Sequence, residues 1–492
     1  MCVARARCKA APNGETHVAK VLEPDICVIG GGAAALAVIK TARAAGASVA
    51  LVTRGTADGA QLDAAMLGAR ALAAAAARAH RLRHSEHLGI VATEPQIDFE
   101  GVHAHVRQAI AQDALRFSSE RLAALGATLL PGPSRFLDRT QMEVGDTLVK
   151  ARRFVIATGS RPNVPELPGL QDSGYLTPET LLGLSERPDD LIVLGGTAEA
   201  FELAQAYLRL GSRVTVIDAL EPLGEEDPEL AGIVLRRLER EGLEIHRHTG
   251  VVAVRSDGNG IAVDLKAGAA EWTLPGSHLL IATGWQPDLD GLGLDAARIR
   301  FSSAGIAVNS GLRTSNRRVY AIGEAIGGGR SASAATHQGI VVTRNALHRH
   351  PASHDRRIVP QVTFTDPEIA RVGLTEPEAR ERHRQHYRVL RWPFVENERA
   401  RALGHHEGLV KLVIDGRGAI LGASIVGPQA SETIALFALA IANRLGAASL
   451  TRLVAPHPSL AEIVHRIGLD YERSLGDRRG ASQLSWFKRL LP

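Results

Sequence analysis

At 492 residues, with 45% apolar and 22% charged side chains, the chain is too long for one ordinary core and too apolar for disorder, so roughly two to four globular domains are expected. Its net charge of +4 is small for this length and no long basic run occurs, which argues against a nucleic-acid binder. Three cysteines, Cys2, Cys8 and Cys27, are too few for a disulfide-stapled secreted scaffold and fit a reducing cytoplasm.

Residues 1–21 read as a flexible tail that carries Cys2 and Cys8 and lacks the apolar stretch of a signal peptide. No later segment reaches the ~18–20 uninterrupted apolar residues that a bilayer span needs, so a soluble cytoplasmic protein is expected. Residues 26–53, ICVIGGGAAALAVIKTARAAGASVALVT, hold an apolar strand, a glycine turn, an alanine-rich helix, a glycine and a second strand. Cys27 falls inside the first strand, as core. Residues 63–83 are alanine-rich with few breakers and read as a long helix. RFVIATGSRP at 153–162 is a buried-type strand that ends in Ala157-Thr158-Gly159.

Residues 191–218, LIVLGGTAEAFELAQAYLRLGSRVTVID, repeat the first unit. Sixteen positions separate Gly30 from Gly46 and Gly195 from Gly211; twenty-three separate Gly30 from Thr53 and Gly195 from Asp218. Two units with one internal spacing are the signature of two dinucleotide-binding βαβ folds. A first glycine permits the tight strand-to-helix turn, a second lets backbone approach a pyrophosphate, and a small third residue lets helix and strand pack. The helix N-terminus then offers free N–H groups to phosphate. A second Ala-Thr-Gly strand end follows in LLIATGWQP at 279–287, with Gly284 at its close. The chain is therefore expected to enter one nucleotide domain, leave for another and return, which sets two nucleotides face to face.

The expected class is α/β: an FAD domain (22–165 and 286–350), an inserted NAD domain (166–285), an α+β dimerisation domain (351–475) and a tail (476–492). The polar, proline-bearing run at 348–357 marks the third boundary. The tail sequence ASQLSWFKRLLP can line up Leu484, Phe487, Leu490 and Leu491 beside Lys488 and Arg489; a membrane surface, the partner subunit and fraying are the alternatives. No histidine spacing suggests a metal site, His405–His406 included.

The chain resembles the flavin-dependent pyridine nucleotide–disulfide oxidoreductases, which include dihydrolipoamide dehydrogenase, glutathione reductase and mercuric reductase, over residues 22–475. Besides the two glycine units, the likeness rests on VYAIGEA (319–325), VTFTDPEIARVGLTEPEA (362–379), LVKLVIDGRGAILGASIVGPQASE (409–432) and PHPSLAEIV (456–464). AQAYLRLGSRVTV looks most similar to mercuric reductases. The resemblance implies a homodimer with FAD and a nicotinamide cofactor. Gly30, Gly32 and Ala35 would bind the flavin pyrophosphate, with Thr53, Thr158 and Gly159 beside them. Glu324 would stand where an aspartate usually holds the ribityl chain. Gly195, Thr197, Ala200 and Gly284 would receive the nicotinamide nucleotide, Thr197 narrowing an approach usually left open by glycine. A carboxylate at Asp218 suits a ribose 2′-OH and repels a 2′-phosphate, which favours NADH over NADPH. Thr53, at the equivalent flavin position, offers one neutral hydrogen bond.

The family's cysteine pair should fall at residues 61 and 66, where this sequence has Gln61 and Met66. A thioether forms no disulfide. Glu202 and Arg70 match the family's charged pair near the flavin, and His457 with Glu462 matches its acid–base dyad, placed across the dimer interface. The expected activity is transfer of electrons from NADH through flavin to a small acceptor, such as a quinone, a dye or a second nicotinamide. A non-catalytic nucleotide-binding sensor or scaffold is the alternative, motivated by Thr53, Thr197 and Glu324.

Overall fold

The computed structural model describes the backbone of residues 5–10, 16–54, 58–258, 260–329, 331–348 and 351–475. The first glycine unit builds a parallel sheet of five strands, in the order Val319–Ala321, Arg153–Ile156, Ile26–Ile29, Val49–Thr53, Ala127–Pro131. Strand Ile26–Ile29 is buried along its whole length, as a central parallel strand with both faces covered must be. Helix Gly32–Ala44 crosses from it to the next strand and packs on helix Ala332–Leu347. Gly339 sits at that crossing: a Cβ there would lie 2.8 Å from Ala37 Cβ, so the close approach requires glycine.

The second unit gives a four-stranded parallel sheet, ordered Glu244–His246, Arg213–Ile217, Asp190–Leu194, His278–Ile281. An antiparallel meander, Gly250–Asp257, Gly260–Ala267 and Ala270–Gly276, accompanies it. Strands Ser160–Pro162 and Trp285–Pro287 pair as a ribbon where the chain leaves the first unit and returns to it. The last sheet is antiparallel, ordered Gln361–Thr363, Glu368–Gly373, Ile420–Gly427, Leu409–Asp415, Tyr387–Pro393, with helix Ala430–Ala442 packed against it.

Two expectations change. Residues 1–21 are not simply a flexible tail: Arg5–Ala10 and Thr16–Leu22 form an antiparallel hairpin whose second strand runs parallel to Thr147–Val149. Backbone pairing with an existing sheet edge accounts for this, and Val21 and Leu22 are buried at its end. The alanine-rich helix starts earlier than residue 63, spanning Asp58–Arg83, and packs against helices Phe99–Ala114 and Ala198–Arg209. The side chains of Cys2, Cys8 and Gln61 and the whole of 476–492 lie outside the described residues. Among the described residues no helix is long and apolar enough to cross a membrane.

The second unit is tied to the last sheet by buried charge. Arg209 gives Glu241 two hydrogen bonds of 2.8 Å and Asp366 one of 2.9 Å, with only 4% of its side chain exposed. Arg237 also reaches Glu241 at 2.8 Å, and Gln205 exchanges hydrogen bonds with the Asp366 backbone.

Candidate active site

The two glycine turns are built alike. Gly30 N–H donates to Val52 O and Ala157 N–H to Ile29 O; Gly195 N–H donates to Ile217 O and Ala282 N–H to Leu194 O. Each turn therefore lies under an Ala-Thr-Gly strand end. A Cβ on Gly30 would sit 2.1 Å from Ala157 O, and one on Gly195 would sit 2.4 Å from Ala282 O. Both glycines also hold positive φ, +109° and +118°, so no other residue fits either turn without strain.

The first turn opens into a cleft of about 590 Å³, lined by Gly30, Gly32, Thr53, Thr158, Gly159 and Glu324 among others. Ala35 lies behind the wall, buried in the helix–sheet contact, where it serves packing. Buried polar atoms on the wall have no hydrogen-bond partner in the protein: Thr158 Oγ1, His354 Nδ1 and Gln361 Oε1. Orphaned polar atoms are rare in a folded interior. Several around one cleft of ligand size beside a helix N-terminus fit a long polar cofactor such as FAD. Glu324 accepts a hydrogen bond from Ser160, which also lines the cleft.

The second set also comes together, at the carboxyl ends of the parallel strands, where open α/β sheets bind ligands. Thr197 does more than narrow the turn. It is the N-cap of helix Ala198–Arg209, accepting from Ala200 N–H at 3.2 Å and donating to Ala282 O at 3.0 Å. A Cβ on Gly284 would stand 4.0 Å from the Thr197 methyl group. Asp218 presses on Gly196 so closely that a Cβ there would lie 1.9 Å from Oδ2. The nearby Arg247 guanidinium is engaged by Glu239 at 2.6 Å.

Glu202 is no surface charge. Its side chain is 6% exposed, is paired to Arg70 from the long helix, and accepts from Phe364 N–H at 2.5 Å. Burial lifts its carboxyl above the ordinary range, against the opposing pull of Arg70 and the Phe364 N–H. Arg70 stacks on the Phe364 ring at 3.9 Å, and its Nη1 is buried without a partner. Met66 lies one helical turn before Arg70. Cys27 is fully buried, and burial pushes its thiol up to about 12.

His457 and Glu462 meet at 2.9 Å, but outside the cleft wall, with the His457 side chain 59% exposed. The hydrogen bond and charge of Glu462 raise the imidazole above its ordinary value. Among the described residues no group of histidine, cysteine, aspartate or glutamate is placed to hold a metal ion. The sequence pattern missed three wall residues, Gln338, His354 and Gln361. Gln338 accepts from Gly323 N–H at 2.7 Å beside Glu324. No spacing marks these residues, because they reach the cleft from a distant helix, a linker and the last sheet.

The family described as pyridine nucleotide-disulphide oxidoreductase matches residues 24–339, and its dimerisation domain matches residues 359–467. Among curated relatives, a mercuric reductase of Streptomyces lividans is 34% identical over 448 residues, 89% of this chain and 94% of the relative. A dihydrolipoyl dehydrogenase of Geobacillus stearothermophilus is 31% identical over 450 residues, 90% and 95% of the two chains. Among solved structures, the Cu(II) complex of the HOCl-induced flavoprotein disulfide reductase RclA from Escherichia coli aligns with a TM-score of 0.78 at 25% identity, covering 91% of this chain and 99% of the other.

Proposed function

We propose that this chain, which belongs to the pyridine nucleotide-disulphide oxidoreductase family, carries electrons from NADH by way of FAD directly to a small acceptor such as a quinone, a dye or a second nicotinamide. As a family member it is an oxidoreductase of the FAD flavoprotein kind that uses a nicotinamide nucleotide. One observation carries the finer reading: no cysteine follows Cys27, so helix Asp58–Arg83, which delivers Arg70 to Glu202, brings no thiol with it. Cys27 itself is locked in a core strand as a thiol, and a thiol that does not ionise neither attacks a disulfide nor binds a soft metal.

FAD, when bound, would accept a hydride from the nicotinamide and pass its two electrons on to the acceptor. The protein supplies position and charge. Gly30, Gly32 and the N-terminus of helix Gly32–Ala44 offer N–H groups to the pyrophosphate, while Thr158 and Gln361 hold buried polar atoms ready for the ligand. Thr197, Gly195 and Gly284 shape the second nucleotide's seat. Asp218 favours a ribose 2′-OH over a 2′-phosphate, and Arg247, engaged by Glu239, is not spare for a phosphate. The Arg70–Glu202 pair sets the field between the two cofactors. His457, oriented by Glu462, would stand beside the acceptor of the partner subunit; the family's dimerisation domain and the exposure of Leu439 (62%) and Val454 (94%) support a homodimer.

The test is steady-state turnover of NADH with a panel of quinones, dyes and nicotinamide analogues, using wild type and the triple variant Cys2→Ser, Cys8→Ser, Cys27→Ala. Equal turnover in both is expected. Loss of activity in the triple variant with flavin retained contradicts the thiol-free route. Retained flavin with no turnover of any acceptor in wild type points instead to a nucleotide-binding sensor or scaffold.

A further inference from the structure

The imidazole of His457 is gripped from both sides. Nδ1 lies 2.9 Å from Glu462 Oε1, and Nε2 lies 3.3 Å from Glu398 Oε2. The two acids reach it from different elements. Glu462 is steadied by Ser459 N–H, which donates to its Oε2 at 3.1 Å. Glu398 opens the short helix Glu398–Ala402, and the residue before it, Asn397, is 2% exposed. Asn397 caps that helix by accepting from Ala400 N–H at 2.9 Å and donates its amide to Ser459 O at 3.0 Å. One buried amide thus staples the loop of His457 to the helix of Glu398.

That staple changes the energetics. An exposed ion pair is usually worth little, because two long side chains must be ordered to make it. Here the backbones that carry both partners are already fixed relative to each other. Ionised carboxylates only accept hydrogen bonds, and a neutral imidazole has one N–H and one bare nitrogen. The hydrogen bond to Glu462 engages Nδ1, and the ion pair with Glu398 at Nε2 is favourable only when the ring is charged. The charged groups that act on the ring are Glu462, Glu398 and Arg466, the last opposing the two acids, and the balance favours the charged ring.

We infer that Glu398 is a positioning residue: together with Glu462 it clamps the His457 ring in its charged form and in one orientation. A ring held charged in this way suits an acceptor whose oxygen takes up a proton on reduction, as a quinone's does. The role toward the acceptor rests on the function proposed above; the clamp does not.

The experiment is a pH titration of the His457 ring by nitrogen NMR on the flavin-loaded full chain, with the signal assigned through His457→Asn, in wild type, Glu398→Gln and Glu398→Asp. The midpoint is expected to move to lower pH in Glu398→Gln and to return toward wild type in Glu398→Asp, with unchanged melting temperature. The alkaline limit of quinone turnover should move in the same direction, while flavin reduction by NADH stays as it was. An unmoved midpoint in Glu398→Gln overturns the inference whatever the activity does. A moved midpoint in a protein that turns over no acceptor upholds the clamp and removes the functional reading.

Discussion

The two glycine units share one turn and differ in what holds them. In the first, helix Gly32–Ala44 buries Ala34, Ala35, Leu36, Ala37, Val38, Ile39 and Ala42, all apolar, and meets Gly339 across a close crossing. In the second, helix Ala198–Arg209 buries Glu202, Gln205 and Arg209 beside its apolar residues, each with a polar partner. The first helix is seated by shape, the second by charge. Charge makes a tunable seat: Glu202 and Arg209 tie the second helix both to Arg70 and to the last sheet, so changes in protonation bear on the second helix more than on the first.

The largest effect is expected from Glu241→Ala, which takes two hydrogen bonds from the buried Arg209 and leaves it the half-exposed Asp366 alone. Breaking a buried pair from one side costs about 3–5 kcal/mol, and urea unfolding should show it, with flavin still bound by the folded fraction. Gly30→Ala comes next, at roughly 2–4 kcal/mol from overpacking against Ala157 O and positive-φ strain. Gly195→Ala carries a similar strain, yet the outcomes should part: the first variant purifies colourless, the second stays yellow and loses NADH affinity. If both variants keep or both lose flavin, the division of labour between the units is wrong. Asp218→Ala should narrow the preference for NADH over NADPH by about 10-fold, the size of ~1.4 kcal/mol of relieved repulsion, read from the ratio of kcat/KM values.

Acid should loosen the second seat first. Burial and then the Arg209 charge hold His80 down at about 4 from 6.5, so its neutral form is built into the fold and stability falls as pH drops from 6.5 toward 4. Burial pushes Glu241 up, but the Arg209 hydrogen bonds and charge outweigh it and hold the carboxyl at about 2 against 4.5. That contribution is full above 4.5 and is lost as pH falls toward 2. Hydrogen exchange at pH 4 and pH 7 should therefore open amides of residues 198–209 before those of residues 32–44. Equal acceleration in both helices would erase the contrast.

Much of this arrangement is readable along the chain because local spacing encodes it. The repeated glycine interval gives both turns, and Ala157 and Ala282 reveal why the Ala-Thr-Gly strand ends repeat: each supplies the carbonyl that roofs a glycine. The pairing of Glu202 with Arg70 also follows from the family pattern. What escapes reading depends on distant partners. The hairpin Arg5–Ala10 and Thr16–Leu22 is stabilised by backbone pairing with Thr147–Val149, a contact with no side-chain signature. Arg209 and Glu241 are ordinary surface residue types until folding buries them together, with Asp366 at the rim. Glu398 is a plain acid in sequence, and only the Asn397–Ser459 staple brings it to His457. Thr197 shows the converse, a departure from glycine that folding turns into a helix cap.

The central claim is that no sulfur relay stands beyond the flavin. The most direct measurement is an anaerobic titration of the flavin-loaded protein with NADH, following flavin absorbance and counting reducing equivalents. The account predicts complete bleaching after one equivalent of NADH per flavin, with no further uptake and no thiols newly accessible to alkylation. Uptake of a second equivalent, with thiols appearing as it is consumed, would contradict it.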